Sequence, residues 1–333
     1  MTPWIATMLG AGSVRGNDEH ESWWPACIAG LNRIGLRLMD WVIDVSKTER
    51  GRSVLSPQSA EAACRALRTQ GAAVLRGAFS KVFIAGLYKE FITQFGAMDA
   101  AAMNVRAKSP PPHPFLKTGG KRFDIVPRMA GVFADPTVYA HPILLQVLST
   151  VLGPKMRLGG FTIVVSFPGA SVQHIHSDHS PLFPEGDLGT VLPSYAINVN
   201  VPLVDVDMET GPTGVWLGSH RWPASRKAAP ETVTRVPFRR GDCLLLDYRT
   251  IHSGMPNQSR RRRPILYMPY ARGWFYDDEN HKGRPTLDMP LDTYLALPES
   301  LRPLLLRAYT QAMRALLAAE IAGSTPSSRE SPD

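Results

Sequence analysis

From Trp24 the apolar positions fall at Trp24, Ile28, Leu31, Ile34, Leu38, Trp41 and Val45, steps of three and four that predict one amphipathic helix over 24–45. Arg33, Arg37, Asp40 and Asp44 lie off that stripe. The polar face is not strongly basic, so the helix is read as docked on the protein body rather than on a membrane surface. Residues 1–22 read as a mobile lead-in. Ser56-Pro57 predicts a helix start, with Ser as N-cap and Pro at the first helical position, running to about Thr69. Gly71 to Gly77 reads as a short strand, and a further helix runs from Ser80 to about Phe95. Residues 104–125 are rich in Pro, Lys and Gly and read as a loop, followed by a helix from Pro142 to Leu152.

From Met156 the pattern changes. Apolar runs become short and β-branched, and turn residues recur between them. Strands are predicted at Phe161 to Ser166, Ser171 to Asp178, Tyr195 to Val201, Gly214 to Leu217, Glu231 to Val236, Asp242 to Tyr248 and Pro264 to Tyr270. Along the third, Ala196, Asn198 and Asn200 take one face and Tyr195, Ile197, Val199 and Val201 the other. After Arg284-Pro285 the chain returns to helix, amphipathic over Ser300 to Ala322, and 323–333 is a polar tail. The predicted fold is a mainly β core at about 156–275 with flanking helices, a sandwich or jelly roll with N- and C-terminal α-helical additions.

The 333 residues are 44% hydrophobic and 20% charged, which excludes wholesale disorder. No stretch is long and uncharged enough for a spanning membrane segment. Cys27, Cys64 and Cys243 form neither a disulfide framework nor a CxxC zinc pattern, which favours a reducing compartment. The N-terminus lacks a basic stretch ahead of its apolar run, and Ser331-Pro332-Asp333 matches no C-terminal address, so a cytoplasmic location is expected. The formal charge of +8 is spread along the chain except at Arg260 to Arg263. No aromatic and basic interleaving accompanies it, so no nucleic-acid partner is expected. No glycine pattern for cradling nucleotide phosphates is present.

The densest chemistry lies in Ser171-Val-Gln-His-Ile-His-Ser-Asp-His-Ser180. On a regular strand His174, His176 and Asp178 share one face, and Gln173 and His179 do not. Imidazole nitrogen and carboxylate oxygen two positions apart can reach one metal ion, although an HxD pair by itself arises often by chance. Downstream, Gly241 to His252 reads as a buried strand ending in His252 beside the turn Ser253-Gly254. In a jelly roll distant strands lie side by side, so His252 can complete a set of two imidazoles and one carboxylate, which suits non-haem Fe(II). Arg263 adjoins the apolar strand Ile265-Leu-Tyr-Met268, where a guanidinium can hold a carboxylate through two parallel bonds, while Arg260 to Arg262 read as solvated. His174 has two readings of equal weight: a substrate or ligand-supporting contact, or an ordinary buried histidine.

Three separated segments carry a resemblance: Gln173-His-Ile-His176-Ser-Asp178, Gly211-Pro-Thr-Gly-Val-Trp-Leu-Gly-Ser-His220, and His252-Ser-Gly-Met-Pro-Asn-Gln-Ser-Arg-Arg-Arg-Arg263-Pro. In order and spacing they resemble the phytanoyl-CoA dioxygenase family of Fe(II)- and 2-oxoglutarate-dependent oxygenases, over about residues 54–276. The resemblance implies a double-stranded β-helix (jelly roll) and iron held by His176, Asp178 and His252. It implies 2-oxoglutarate held by Arg263, with Thr213 and Gln173 as further contacts, and O2 as the other co-substrate. Catalytic residues beyond the metal ligands are not implied. The implied reaction is hydroxylation of an unactivated C–H bond in a small-molecule substrate, with release of succinate and CO2. With a carboxylate at Asp178 no ligand position is left for chloride, so halogenation is disfavoured. Asp178 to Phe183 departs from the acyl-CoA hydroxylases of the family, so a phytanoyl-type substrate is not expected.

The implied organisation is an N-terminal extension at 1–53, an oxygenase domain at 54–285, C-terminal helices at 286–322 and a disordered tail. Two competing readings use the same residues. One is a non-catalytic or redox-silent metal-binding jelly roll that binds a small molecule or partner. The other is a metal-dependent hydrolase or isomerase, which gives Arg263 and Thr213 no role. Loops at 104–125, 179–194 and 274–290 are expected to wall the pocket, with Trp274, Phe275 and Tyr276 as an apolar, ring-accepting surface or as core.

Overall fold

The computed structural model describes residues 40–96, 98–108, 114–183, 187–235, 237–277, 280 and 285–323. Among the described residues twelve strands follow in chain order: β1 (Val42–Asp44), β2 (Ala72–Arg76), β3 (Phe115–Gly119), β4 (Arg122–Ile125), β5 (Arg157–Leu158), β6 (Thr162–Ser166), β7 (Ala196–Pro202), β8 (Thr213–Val215), β9 (Thr234–Arg235), β10 (Cys243–Asp247), β11 (His252–Gly254) and β12 (Arg263–Ala271). The large sheet runs β1-β2-β10-β7-β12-β6-β4-β3, with β5 paired to the end of β12. The small sheet is β11-β8-β9. Pairings are antiparallel except for β1 with β2. This is the expected jelly-roll core with helices around it.

The two faces of the large sheet differ in chemistry. On β7, Ile197, Val199 and Val201 belong to the main hydrophobic core, together with Leu67 and Val147 of the helices Pro57–Gln70 and Pro142–Leu152. Each such buried side chain is worth roughly 1.5–3 kcal/mol of transfer free energy. The opposite face carries Asn198 and Asn200, both buried.

Four expectations are corrected. The predicted helix 24–45 does not reach its C-terminal end, because Val42–Asp44 pairs in parallel with Val74, Leu75 and Arg76. Trp41, Ile43 and Val45 are all buried, a period of two hidden within steps of four, and residues 24–39 lie outside the described residues. The stretch 104–125 is not a loop throughout. It holds the end of helix Ala100–Arg106 and the hairpin β3–β4, turned by Gly120 and Lys121, the latter at φ 55°. Ser171 to Asp178 is not a regular strand. Gln173 N donates to Gly254 O, and His176 and His252 exchange backbone bonds, so three steps on one side face two on the other. The extra residue acts as a bulge and breaks the ladder. At the C-terminus the helix begins at Leu306 rather than Ser300, after a run of turns containing Pro303.

One helix end governs the approach to β11. Gly71 caps helix Pro57–Gln70 in the left-handed conformation, φ 71°. Its carbonyl accepts from Asp247 N at 2.9 Å and from Thr250 Oγ1 at 2.8 Å. A Cβ at Gly71 would stand 2.2 Å from Thr250 Oγ1. Gly218 has a similar φ of 79°, but its nearest neighbour to such a Cβ is Thr69 O at 3.9 Å. Gly218→Ala should therefore cost about 1–2 kcal/mol of unfolding free energy, the left-handed strain alone. Gly71→Ala should cost about 2–4 kcal/mol, strain plus overpacking, and urea denaturation of both variants measures the difference.

Candidate active site

The backbone bridge between His176 and His252 brings the two predicted segments together. His176 N donates to His252 O at 3.0 Å and His252 N to His176 O at 2.8 Å. The ring centroids stand 4.4 Å apart. Ligand atoms of His176, Asp178 and His252 all lie within 4.8 Å of one another, and His252 Nε2 is 3.5 Å from Asp178 Oδ1.

Each imidazole is fixed by a backbone carbonyl. His176 Nδ1 lies 2.8 Å from His174 O, and His252 Nδ1 lies 3.0 Å from Thr250 O. A carbonyl can only accept, so Nδ1 carries the proton in both rings and each Nε2 keeps its lone pair for a ligand. Burial, then the neighbouring His252, pushes the His176 pKa down to about 3, which holds its ring neutral. Burial drives the Asp178 carboxyl up, while His252 and Asn198 oppose the shift. Asn198 Nδ2 donates to Asp178 Oδ2 at 3.2 Å, Asp178 N donates to Tyr248 O at 2.9 Å, and Asn280 Nδ2 donates to Asp178 O. Two imidazole nitrogens and a desolvated carboxylate converging on one point fit a divalent cation with open positions left for other ligands.

The family-like segment Gly211 to His220 supports the same loop. Ser219 Oγ accepts from Ile251 N at 2.8 Å, and His220 Nε2 lies 3.1 Å from Arg68 O, tying that loop to helix Pro57–Gln70. Thr250, through Gly71, fixes the carbonyl that His252 uses.

Deeper in the pocket, Arg263 is 2% exposed, and its Nε and Nη1 have no hydrogen-bond partner. Burial, with Arg122 nearby, lowers its pKa to about 9. Arg122 is not singled out by the sequence pattern, because it stands in a stretch that reads as loop. The register puts Arg122, Ser166 and Arg263 side by side on β4, β6 and β12. Arg122 Nη2 reaches the carbonyls of Ser171, Gly254 and Met255 at 3.1, 3.3 and 3.1 Å, while its Nε and the Ser166 hydroxyl have no partner. Buried guanidinia with open donors fit an anion.

Thr213 pairs with Gly254 across β8 and β11, and its hydroxyl bonds to Tyr267. Gly254 leaves room beside these groups. A Cβ there would stand 2.5 Å from Arg122 Nη1 and 3.0 Å from Gln173 Oε1. The bulge thus turns Gln173 into the pocket that a regular strand would deny it. His174 instead is exposed at the mouth, 4.6 Å from His176 between ring centroids. Phe275 packs with Tyr195 and Tyr248, while Trp274 and Tyr276 are exposed.

Over 105 residues the chain is 31% identical to the iron/alpha-ketoglutarate-dependent dioxygenase okaE of Penicillium ochrochloron, covering 30% of this chain and 35% of that protein. Over 221 residues it is 25% identical to the dioxygenase FUM3 of Gibberella moniliformis, covering 63% of this chain and 71% of that one. With okaE and the dioxygenase aneA of Aspergillus aculeatus, the match spans about a third to a half of the relative's length. Among solved structures, the epimerase SnoN in complex with Fe3+, alpha ketoglutarate and nogalamycin RO superposes with a TM-score of 0.48 at 18% identity, over 65% of this chain and 85% of that one. AviO1 from Streptomyces viridochromogenes gives 0.48 at 21% identity, over 66% and 98%. The model of the phytanoyl-CoA dioxygenase (PhyH) family matches residues 54–265, the stretch that carries both histidines, the aspartate and both buried arginines, and the chain belongs to that family.

Proposed function

We propose that the protein is an Fe(II)- and 2-oxoglutarate-dependent oxygenase that hydroxylates an unactivated C–H bond of a small organic molecule, releasing succinate and CO2. One observation carries this reading: a convergent His176, Asp178 and His252 set lies on the sheet face that also carries the buried Arg263 guanidinium with open donors. His176, Asp178 and His252 would hold the iron. When bound, it supplies the coupling of O2 reduction to oxidative decarboxylation of 2-oxoglutarate.

The chain's own residues do the rest. The carbonyls of His174 and Thr250 keep both imidazoles in the tautomer that offers Nε2. Asn198 aims the Asp178 carboxylate. Arg263 takes the distal carboxylate of 2-oxoglutarate, with Arg122 adding positive charge at the same level, and Thr213 and Gln173 border the space above Gly254. Tyr195, Tyr248, Ala271 and Phe275 form an apolar cluster near Asp178 that limits water. No described helix is long and apolar enough to cross a membrane. Cys64 and Cys243 are free and buried thiols, which supports a reducing compartment, and we assign the cytoplasm.

His176→Ala and Asp178→Ala should each abolish succinate formation while the protein stays folded by circular dichroism. Succinate release retained in either variant would overturn the assignment. Adding Fe(II) and 2-oxoglutarate without air should give a weak visible charge-transfer band in the native protein and none in these variants. Arg263→Ala should raise the apparent KM for 2-oxoglutarate by roughly ten- to a hundredfold, the loss of a charge-assisted pair, with Arg122→Met smaller in the same direction. Steady-state kinetics in 2-oxoglutarate measures both, and an unchanged KM in Arg263→Ala rejects it as the anchor.

A further inference from the structure

The inner face of β12 orders more than the co-substrate end of the pocket. Arg263, Ile265, Tyr267, Pro269 and Ala271 alternate onto one face of that strand. Arg263 stands at its start. Pro269 is the register partner of Asn198, whose amide holds Asp178. The metal ligands are therefore level with Pro269, and β12 continues past them.

Beyond that level lies a cavity of about 220 Å³ that the proposed chemistry does not use. Pro269, Ala271, Tyr248 and Phe275 form its inner walls. None of the three metal ligands lines it; Asp178 stands behind the wall at Tyr248, whose carbonyl receives the Asp178 amide. Trp274 and Tyr276 stand at its rim, 68% and 56% exposed, which is costly apolar surface to leave in water. The size suits one or two fused rings or a chain of equal bulk; an apolar cavity of about 150 Å³ accepts a benzene.

Among the described residues the polar part of the wall is mostly cationic. Arg157 from β5 and Arg307 and Arg314 from helix Leu306–Gly323 line the cavity with the carboxylate of Asp277, whose charge also reaches Arg307. That carboxylate accepts from the Asn280 amide and backbone N at 3.0 and 3.1 Å. Arg307 lies with its guanidinium carbon 4.3 Å from the Tyr276 ring centre, and its Nε is buried with no hydrogen-bond partner. A guanidinium stacked on a ring is held rigid and presents its remaining donors in a planar fork, the geometry that recognises an oxyacid.

We propose that this cavity seats the substrate, and that the substrate is an apolar, ring-sized molecule bearing an acidic group that Arg307 binds. The proposal rests on the oxygenase reading for what happens to that molecule, and on the cavity alone for what binds. With the apolar part against Pro269 and Phe275, the anion lies toward helix Leu306–Gly323 and the reacting carbon toward Asp178.

The test uses 2-naphthoate and its neutral isostere 2-naphthamide, titrated calorimetrically into the full-length, chelator-treated protein. The expected result is that naphthoate binds at least tenfold more tightly than naphthamide. Arg307→Gln should bring naphthoate down to the level of the amide and leave the amide unchanged. Arg314→Gln, at an exposed position on the cavity wall, should narrow the gap about threefold. Arg263→Ala should leave the gap intact, since the co-substrate end is a separate anion site. Equal affinity of the two probes overturns the proposal, as does a gap that survives both Arg307→Gln and Arg314→Gln or disappears in Arg263→Ala. Succinate release by the iron-loaded native protein separates the two readings. A gap without succinate refutes the oxygenase and keeps the acid-binding cavity; succinate without a gap does the reverse.

Discussion

Two backbone hydrogen bonds, exchanged between His176 and His252, hold the site together. Neither residue belongs to the long ladders of the large sheet. The segment that carries His176 and Asp178 touches β11 only through scattered bonds, and β11 is itself three residues long. Rigidity is borrowed from elsewhere. The loop before β11 is tied by Thr250 to Gly71, by Ile251 to Ser219 and by His220 to helix Pro57–Gln70. A helix C-cap and a short helical turn thereby fix the rotation of one imidazole, and the paired backbone bonds pass that placement to the other.

The interior of the sheet is expensive as it stands. Arg263 and Arg122 are buried with donors left over, Asp178 is desolvated, and both side-chain polar atoms of Asn200 lack partners. Each unpaired buried polar group costs on the order of 1–3 kcal/mol, and charges cost more. The opposite face of the same sheet is packed with apolar side chains, which offsets that cost. Stability is concentrated on one face so that the other can keep groups that only a cation and an anion satisfy. Such a division is expected where a binding site, rather than a core, fills the space between two sheets.

Much of this was legible before the structure. The His-x-Asp spacing survives the bulge because an extended backbone is enough to alternate side chains, whether or not a ladder forms. Strand β7 read correctly because Asn198 and Asn200 interrupt its apolar residues with a period of two. The end of the predicted N-terminal helix misled, since Trp41 and Val45 fit a helical step of four as well as a strand step of two. The Gly119-Gly120 pair at the turn, flanked by Phe115, Lys117, Phe123 and Ile125, was the available sign of the hairpin turned at Gly120 and Lys121 that carries Arg122; prolines before it masked the pattern.

The residue order alone determined which side chains had the chemistry: two imidazoles, a carboxylate and a guanidinium, each beside an extended apolar segment. Tertiary structure decided which of them meet. The bulge that brings Gln173 in and leaves His174 out, the second guanidinium on β4, and the cavity under the C-terminal helix all depend on register between distant strands. Register is set by how whole sheets pack and by single extra residues, and a period counted along one strand carries no record of its neighbour.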